Sequence, residues 1–291
     1  MMWHTQTAAV TGSGHQRQGM PCQDKTWALT ENGVTAIALA DGAGSARLSH
    51  LGAKIAVQTI CQTLCSRFDD LYGAATPAEM RMAALREVRR RIWERAAELG
   101  AAAGDLACTL LAVAVRGDTY LVVHVGDGVI GYQKNGKLLV ASQPQNGEFS
   151  NATTFVTSGD VLQKARVKRG RQPQLEGFVL MSDGCEAALY QKKKAAVAPL
   201  VTRLFQRAEL LGEGTSNELL RMTLAGVISQ RTRDDCSLAI LTRRRGKFGL
   251  WEKLTQREQA EVLGVRTGNR NRRRRAIRKY ARILGVQTQR T

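Results

Sequence analysis

The chain of 291 residues has no apolar run near the roughly 20 residues that a helix needs to cross a bilayer. Its first residues also lack the basic start and apolar core of a secretory signal. Cys-x-x-Cys pairs are absent, and the four histidines have no spacing that would complete a zinc site with the six cysteines. We therefore expect a cytoplasmic protein with reduced thiols and no membrane partner.

Aromatic residues make up only 5% of the chain, so the core must be built mainly from Ala, Val, Leu and Ile. Acidic residues are scarce near the C-terminus, where residues 243–291 carry sixteen Lys and Arg against three acids. Residues 1–242 account for only +5 of the formal net charge of +18. The basic character therefore belongs mainly to the tail and says little about the chemistry of the main body.

Hydrophobic periodicity predicts strands, two helices, strands, two helices and a last strand. The helices are predicted at residues 49–68, 76–99, 195–211 and 216–230. This order differs from the alternation of a parallel sheet and favours antiparallel sheets with helices outside them. The weak, polar pattern of residues 142–175 predicts a long loop, and a loop of this length inside a compact domain is usually functional or mobile.

Carboxylates recur at the ends of apolar runs. Three of them are followed by glycine, namely Asp41, Asp127 and Asp183, and the pair Asp234–Asp235 opens the last strand. Asp-Gly is a common turn dipeptide, so any one of these positions has an ordinary explanation. Four acidic positions at the ends of apolar strands argue against four unrelated turns. Like charges gathered at the rim of a sheet repel one another and lose water, so such a cluster needs a stabilising partner. Two Mg²⁺ or Mn²⁺ ions would stabilise them, lower the pKa of a bridging water and polarise a phosphoryl oxygen.

The ordered motifs resemble those of the metal-dependent serine/threonine protein phosphatases of the 2C (PPM) type, in their divergent bacterial form. The segments that carry the resemblance are Gln23-Asp24, Asp41-Gly42-Ala43-Gly44-Ser45, Cys108-Thr109, Val125-Gly126-Asp127-Gly128, Met181-Ser182-Asp183-Gly184 and Arg233-Asp234-Asp235-Cys236-Ser237. The resemblance implies an α+β fold, a four-layer α-β-β-α sandwich of two antiparallel sheets flanked by helices. Residues 1–243 would form this phosphatase domain, with a flap-like segment at about 142–175, and residues 244–291 a basic helical C-terminal extension.

The same resemblance implies the roles of the carboxylates. Asp41 would bridge two metal ions, and the backbone carbonyl of Gly42 would hold the second ion. Asp183 and Asp234 would complete the ligands of the first ion, and Asp127 matches a motif associated with a third. The attacking group would be the metal-bridging hydroxide, in line with the leaving serine or threonine oxygen.

The chain departs from the family pattern around the substrate phosphate. Asp24 matches an outer-shell acid that holds metal-bound waters, but Gln23 replaces the acid that usually precedes it. Gly19 stands where the family has its phosphate-binding arginine, and His15 or Arg17 are the candidate substitutes. Several members have a histidine after Asp-Gly as a candidate general acid, whereas this chain has alanine there.

The basic tail predicts two short helices, at residues 254–264 and 272–284. Thr255 and Glu258 form a capping-box pattern at the start of the first. The arginines of the tail could neutralise nucleic-acid phosphates. The favoured interpretation is that the tail docks on the phosphatase body or on an acidic partner.

The predicted function is hydrolysis of phosphoserine and phosphothreonine in proteins, opposing a cognate Ser/Thr kinase. One alternative is a catalytically weak phosphatase-fold module that binds phosphoproteins. The other is a nucleic-acid-associated protein directed by its tail.

Overall fold

The computed structural model describes residues 3–145, 153–211, 213–243, 254–263 and 269–284. Strands within these residues form two five-stranded antiparallel sheets and one short hairpin. The first sheet contains, in spatial order, β1 (Trp3–Val10), β12 (Cys236–Arg243), β9 (Leu175–Met181), β6 (Val129–Lys134) and β7 (Lys137–Ser142). The second sheet contains β2 (Lys25–Glu31), β3 (Val34–Ala40), β4 (Leu110–Arg116), β5 (Thr119–Val125) and β8 (Arg166–Arg171). The hairpin consists of β10 (Tyr190–Gln191) and β11 (Ala196–Val197).

Strand β3 shows how the layers pack. All seven of its residues are buried, and successive side chains point to opposite faces of the sheet. Ile37 and Leu39 join the core between the two sheets. Ala36 and Ala38 face the helices, where their small side chains allow close packing. A strand that is apolar on both faces must be covered on both sides. Strand β3 is covered by helices on one side and by the first sheet on the other.

Helices cover the outer face of each sheet. The second sheet is covered by α2 (Ser49–Ser66), α3 (Phe68–Gly73) and α4 (Pro77–Glu98), and the first by α7 (Leu200–Leu210) and α8 (Glu213–Thr223). Short helices are α1 (Ser13–Arg17), α5 (Val161–Lys164) and α6 (Glu186–Leu189). The predicted sandwich of two antiparallel sheets flanked by helices is confirmed.

The predicted long loop at residues 142–175 is only partly a loop. It contains α5 and the edge strand β8, and residues 146–152 lie outside the described residues. Strand β8 has the sequence Arg-Val-Lys-Arg-Gly-Arg and no buried position. Because no position is buried, its sequence lacks the apolar alternation by which strands are predicted.

Two predicted helices differ in their bounds. The helix predicted from residue 195 begins at Leu200, because Pro199 disfavours a helical conformation in the residue before it. Residues 195–197 instead complete the hairpin. The helix predicted at 216–230 is regular only to Thr223, and a π-helix (Leu224–Ile228) follows it.

The tail contains α9 (Gln256–Val262) and α10 (Arg270–Leu284). The predicted capping box is confirmed, since Thr255 N donates to Glu258 Oε2 at 2.8 Å and Glu258 N donates to Thr255 Oγ1 at 3.3 Å. Leu263 and Ile277 are buried in one cluster with side chains of the α7–α8 region. The division of the chain at residues 243 and 244 stays a prediction, because residues 244–253 lie outside the described residues.

Within the part of the chain that the structure describes, no helix is both long and apolar enough to span a membrane.

Replacing Phe178 tests the core between the sheets. Its side chain is 1% exposed, and its ring centroid lies 5.4 Å from that of Tyr120 and 6.0 Å from that of Tyr132. We expect Phe178→Ala to lower the free energy of unfolding by about 3–5 kcal/mol, because it leaves a cavity. The measurement is denaturant unfolding. Leu139→Ala, at a position 38% exposed, is the control, and equal losses in the two variants would contradict this account of the core.

Candidate active site

The predicted carboxylates lie where strands of both sheets end on the same side of the sandwich. Asp41 directly follows β3, and Asp183 follows β9 after one residue. Strand β12 runs antiparallel to β9, so Asp234, just before β12, lies at the end where β9 stops. Asp127 lies in the short connection between β5 and β6. The topology therefore brings together residues that are up to about two hundred positions apart in the sequence.

These strand ends open into a cleft of about 330 Å³. The cleft is lined by His15, Gln23, Asp41, Gly42, Ala43, Gly44, Thr109, Asp127, Thr153, Phe155, Asp183 and Asp234. It thus contains all five residues predicted to hold metal ions. Asp24 does not line the cleft but is buried close to Asp41. Of the two candidates for the substrate phosphate, His15 lines the cleft, whereas Arg17 is exposed on α1.

The carboxylates of the site disfavour one another's charge. Burial raises the pKa of Asp41 well above its usual range, and the nearby Asp24 and Asp183 raise it further. Burial also raises the pKa of Asp183, with Asp127 and Asp234 adding to the effect. Burial raises the pKa of Asp24 to about 7, although neighbouring polar groups, Ser237 first among them, oppose the shift. A positive charge placed in the cleft would reverse these effects.

The oxygens of the site are suited to a hard cation. Both carboxylate oxygens of Asp24 and Oδ1 of Asp183 are buried without a hydrogen bond of ordinary geometry. Among the described residues, no group of three or more acidic, histidine or cysteine side chains is arranged so that it could hold a metal ion by itself. Mg²⁺ does not need such a group, because it usually keeps several waters and binds through one or two carboxylates. Open, oxygen-rich and negatively charged, the cleft fits that kind of ion.

The backbone around Asp41 is fixed from a neighbouring segment. Asp41 N donates to Thr109 Oγ1 at 2.9 Å, and Thr109 N donates to the Asp41 carbonyl at 2.8 Å. Gly42 packs so closely on α2 that a Cβ atom there would lie 2.7 Å from Ser49 Oγ. Asp41, which would bridge the two ions, and Gly42, which would hold the second, therefore have little freedom to shift.

Asp235 contacts the segments that carry His15, on α1, and Gln23, just before β2. Its side chain is 1% exposed, and its oxygens accept hydrogen bonds from Gly12 N at 2.7 Å and Gln23 N at 2.6 Å. His15 Nδ1 lies 3.0 Å from Asp235 Oδ1. The sequence showed Asp235 only as the second residue of an acidic pair. Its partners are more than two hundred residues away, so no local pattern could reveal this role.

His124 holds the connection that carries Asp127, and sequence reasoning missed it as well. It is fully buried, with Nε2 2.9 Å from the Gly126 carbonyl and Nδ1 2.7 Å from Ser142 Oγ. Asp127 Oδ2 accepts a hydrogen bond from Thr153 Oγ1 at 2.8 Å. Burial lowers the pKa of His124 to about 4, which keeps the imidazole neutral and able to accept from the hydroxyl.

The neutral state of His124 predicts a pH dependence of stability. Below an ordinary pKa of about 6.5 the unfolded chain protonates this histidine, while the folded chain does so only near pH 4. The contribution of His124 to the free energy of unfolding is therefore complete above pH 6.5 and falls as the pH falls towards 4. We expect the wild type to lose about 2 kcal/mol relative to His124→Gln between pH 7 and pH 5, measured by denaturant unfolding. A constant difference between the two proteins would contradict the assignment.

Known proteins share both the sequence pattern and the fold. Serine/threonine-protein phosphatase 3 of Escherichia coli (strain K12) is 26% identical over 254 residues, which cover 82% of this chain and 98% of that protein. The solved structure of the S. agalactiae serine/threonine phosphatase has a TM-score of 0.57 at 17% identity and covers 83% of this chain and 99% of its own. The Mycobacterium tuberculosis serine/threonine phosphatase PstP/Ppp has a TM-score of 0.55 at 15% identity, covering 84% of this chain and 100% of its own. The structural likenesses show a common fold.

The family model described as Protein phosphatase 2C matches residues 11–225, well over half of the chain. This span includes Asp24, Asp41, Asp127 and Asp183, and Asp234 follows it. The chain belongs to the protein phosphatase 2C family.

Proposed function

We propose that this chain hydrolyses phosphoserine and phosphothreonine in proteins at the carboxylate cleft, with two Mn²⁺ or Mg²⁺ ions bound there. The observation that carries the proposal is the convergence of Asp41, Asp127, Asp183 and Asp234 on one cleft. The E. coli relative is named a serine/threonine-protein phosphatase, which supports this substrate class.

Bound divalent ions supply an activated water and positive charge beside the phosphoryl oxygens. Asp41 and the Gly42 carbonyl would hold them from the second sheet, and Asp183 and Asp234 from the first. Asp24, buried close to Asp41, would hold waters that are bound to the ions. Asp127 remains as the ligand for a third ion, with one oxygen engaged by Thr153.

His15 is the group that we assign to the substrate phosphate. It lines the cleft with Nδ1 3.0 Å from Asp235 Oδ1, whereas Arg17 is exposed on α1. Its other ring nitrogen, Nε2, would contact the phosphate.

Phosphorylated proteins of this kind are products of protein kinases, so a Ser/Thr kinase acts as the opposing partner. All six cysteines are free, which supports a reducing compartment, and we propose the cytoplasm.

Removing one carboxylate tests the metal site. We expect Asp41→Asn and Asp183→Asn each to reduce Mn²⁺-dependent hydrolysis of p-nitrophenyl phosphate by more than the roughly 100-fold that loss of an outer-shell partner costs. The rise in melting temperature that Mn²⁺ causes in the wild type should also disappear. Without metal, Asp41→Asn should melt at a higher temperature than the wild type, because a neutral amide avoids the burial cost and the repulsion from Asp24 and Asp183 that disfavour the ionised carboxyl.

Asp160→Asn is the control, because Asp160 is exposed, pairs with Lys164 and does not line the cleft. Full Mn²⁺-dependent activity in Asp41→Asn would overturn the proposal. A wild type that binds phosphopeptides but does not turn them over at any metal concentration would instead identify a catalytically weak phosphoprotein-binding module.

Substituting His15 and Arg17 in turn shows which of them binds the substrate phosphate. We expect His15→Ala to lower kcat/KM for p-nitrophenyl phosphate by about 10-fold or more, the effect of losing a hydrogen bond to a charged group. It should also weaken competitive inhibition by inorganic phosphate. Arg17→Ala, an exposed substitution, should stay within about twofold of the wild type. The reverse order of effects would assign the phosphate to Arg17.

A further inference from the structure

A short hairpin after the third acidic motif carries three consecutive lysines. Strands β10 and β11 pair at Tyr190 with Val197 and at Gln191 with Ala196, and the turn between them contains Lys192, Lys193 and Lys194. All three lysines are exposed. Ala195 closes the turn with a φ of 46°, a left-handed conformation that is uncommon for a residue with a side chain. The turn therefore has a defined shape that presents three positive charges.

The hairpin lies beside the proposed metal cleft. Glu186 begins α6, three residues after Asp183, and its Oε2 lies 2.9 Å from Lys192 Nζ. Glu186 raises the pKa of Lys192, and Asp183 and Asp127 raise it further. This lysine therefore interacts electrostatically with both cleft carboxylates. The ion pair with Glu186 thus attaches the lysine turn to the segment that carries Asp183.

The other two lysines have no such attachment. Among the described residues, no carboxylate forms an ion pair with Lys193 or Lys194, whereas Lys192 is held by Glu186. Tyr190 and Val197 at the base of the hairpin are buried in the core of the first sheet. A rigid base with two free ammonium groups at its tip is an arrangement suited to a negatively charged peptide passing over the cleft.

We propose that this hairpin recognises substrate, with Lys193 and Lys194 binding acidic side chains that flank the phosphorylated residue. The inference rests on the proposed function and narrows its substrate class to phosphorylated segments rich in Asp and Glu. The phosphate itself is bound in the cleft, and the hairpin binds side chains of the substrate on either side of the phosphorylated residue.

The effect belongs mainly to substrate binding. Exposed ion pairs are individually weak and are screened by salt, so two of them acting together give a preference of about 3- to 10-fold in kcat/KM. Most of this preference should be in KM, because the lysines do not touch the reacting atoms.

The experiment compares two phosphothreonine peptides of equal length, one flanked by Glu and Asp and the other by Gln and Asn at the same positions. The test variant is Lys193→Glu/Lys194→Glu. The matched control is Lys134→Glu/Lys137→Glu, which makes the same charge change on the β6–β7 hairpin, at the end of the first sheet away from Asp127. p-Nitrophenyl phosphate, which has no flanking residues, reports the basal activity of each protein.

We expect the wild type and the control to prefer the acidic peptide, with a preference that shrinks as salt is raised. The Lys193→Glu/Lys194→Glu variant should lose or reverse the preference while it retains basal activity. Fluorescence anisotropy of the same two peptides in EDTA gives a readout that does not need turnover, and the order of affinities should be the same.

A wild type without preference, or a preference that survives charge reversal, would overturn the inference and leave the phosphatase proposal intact. Loss of preference in both variants would show a general effect of net charge and would also overturn it. Absence of p-nitrophenyl phosphate hydrolysis in the wild type would count against the proposed function alone. The peptide affinities measured by anisotropy would then decide whether the hairpin binds acidic flanking residues.

Discussion

Electrostatic repulsion among carboxylates at one end of the sandwich is the constraint on which the rest of the structure depends. Asp41, Asp183 and Asp24 each have a raised pKa because burial and neighbouring acids disfavour their charges. A flexible chain would relieve this repulsion by moving the carboxylates apart. Here they are attached to the ends of buried strands in two sheets, whose shared core fixes their separation. The fold therefore holds together groups that repel one another until positive charge is bound between them.

The carboxylates that line the cleft were predictable, because Asp41, Asp127 and Asp183 each follow an apolar run and precede glycine, and Asp234 lies just before the last strand. The family and the enzyme class, a protein serine/threonine phosphatase, are confirmed by the match to the family model. The roles of Asp235 and His124 could not be predicted, since each depends on contacts between distant segments. Strand β8 and the hairpin at Tyr190–Val197 were missed for a different reason. An edge strand with exposed basic side chains and a hairpin with strands of two residues leave no periodic signal.

One departure from the family pattern, Gln23, and the candidate phosphate residue His15 lie beside the same buried carboxylate. Gln23 replaces an acid, yet its backbone amide and that of Gly12 donate to Asp235, whose Oδ1 lies 3.0 Å from His15 Nδ1. The cleft carboxylates come from strand ends and are positioned by the core, whereas Gly12 and Gln23 lie in segments outside the sheets and are positioned by one buried carboxylate. Loops held in this way can change sequence without disturbing the sheets. The structure thus separates a fixed part of the site from a variable one.

Strand β8 forms an outer edge of the second sheet, where unpaired backbone groups would otherwise offer a template to a strand of another molecule. Arg166, Lys168 and Arg169 extend from this edge and donate to backbone carbonyls of residues nearby in the fold. A second chain that paired along β8 would have to approach several positive charges. The basic residues that hid this strand from sequence analysis thus protect the protein from edge-to-edge aggregation.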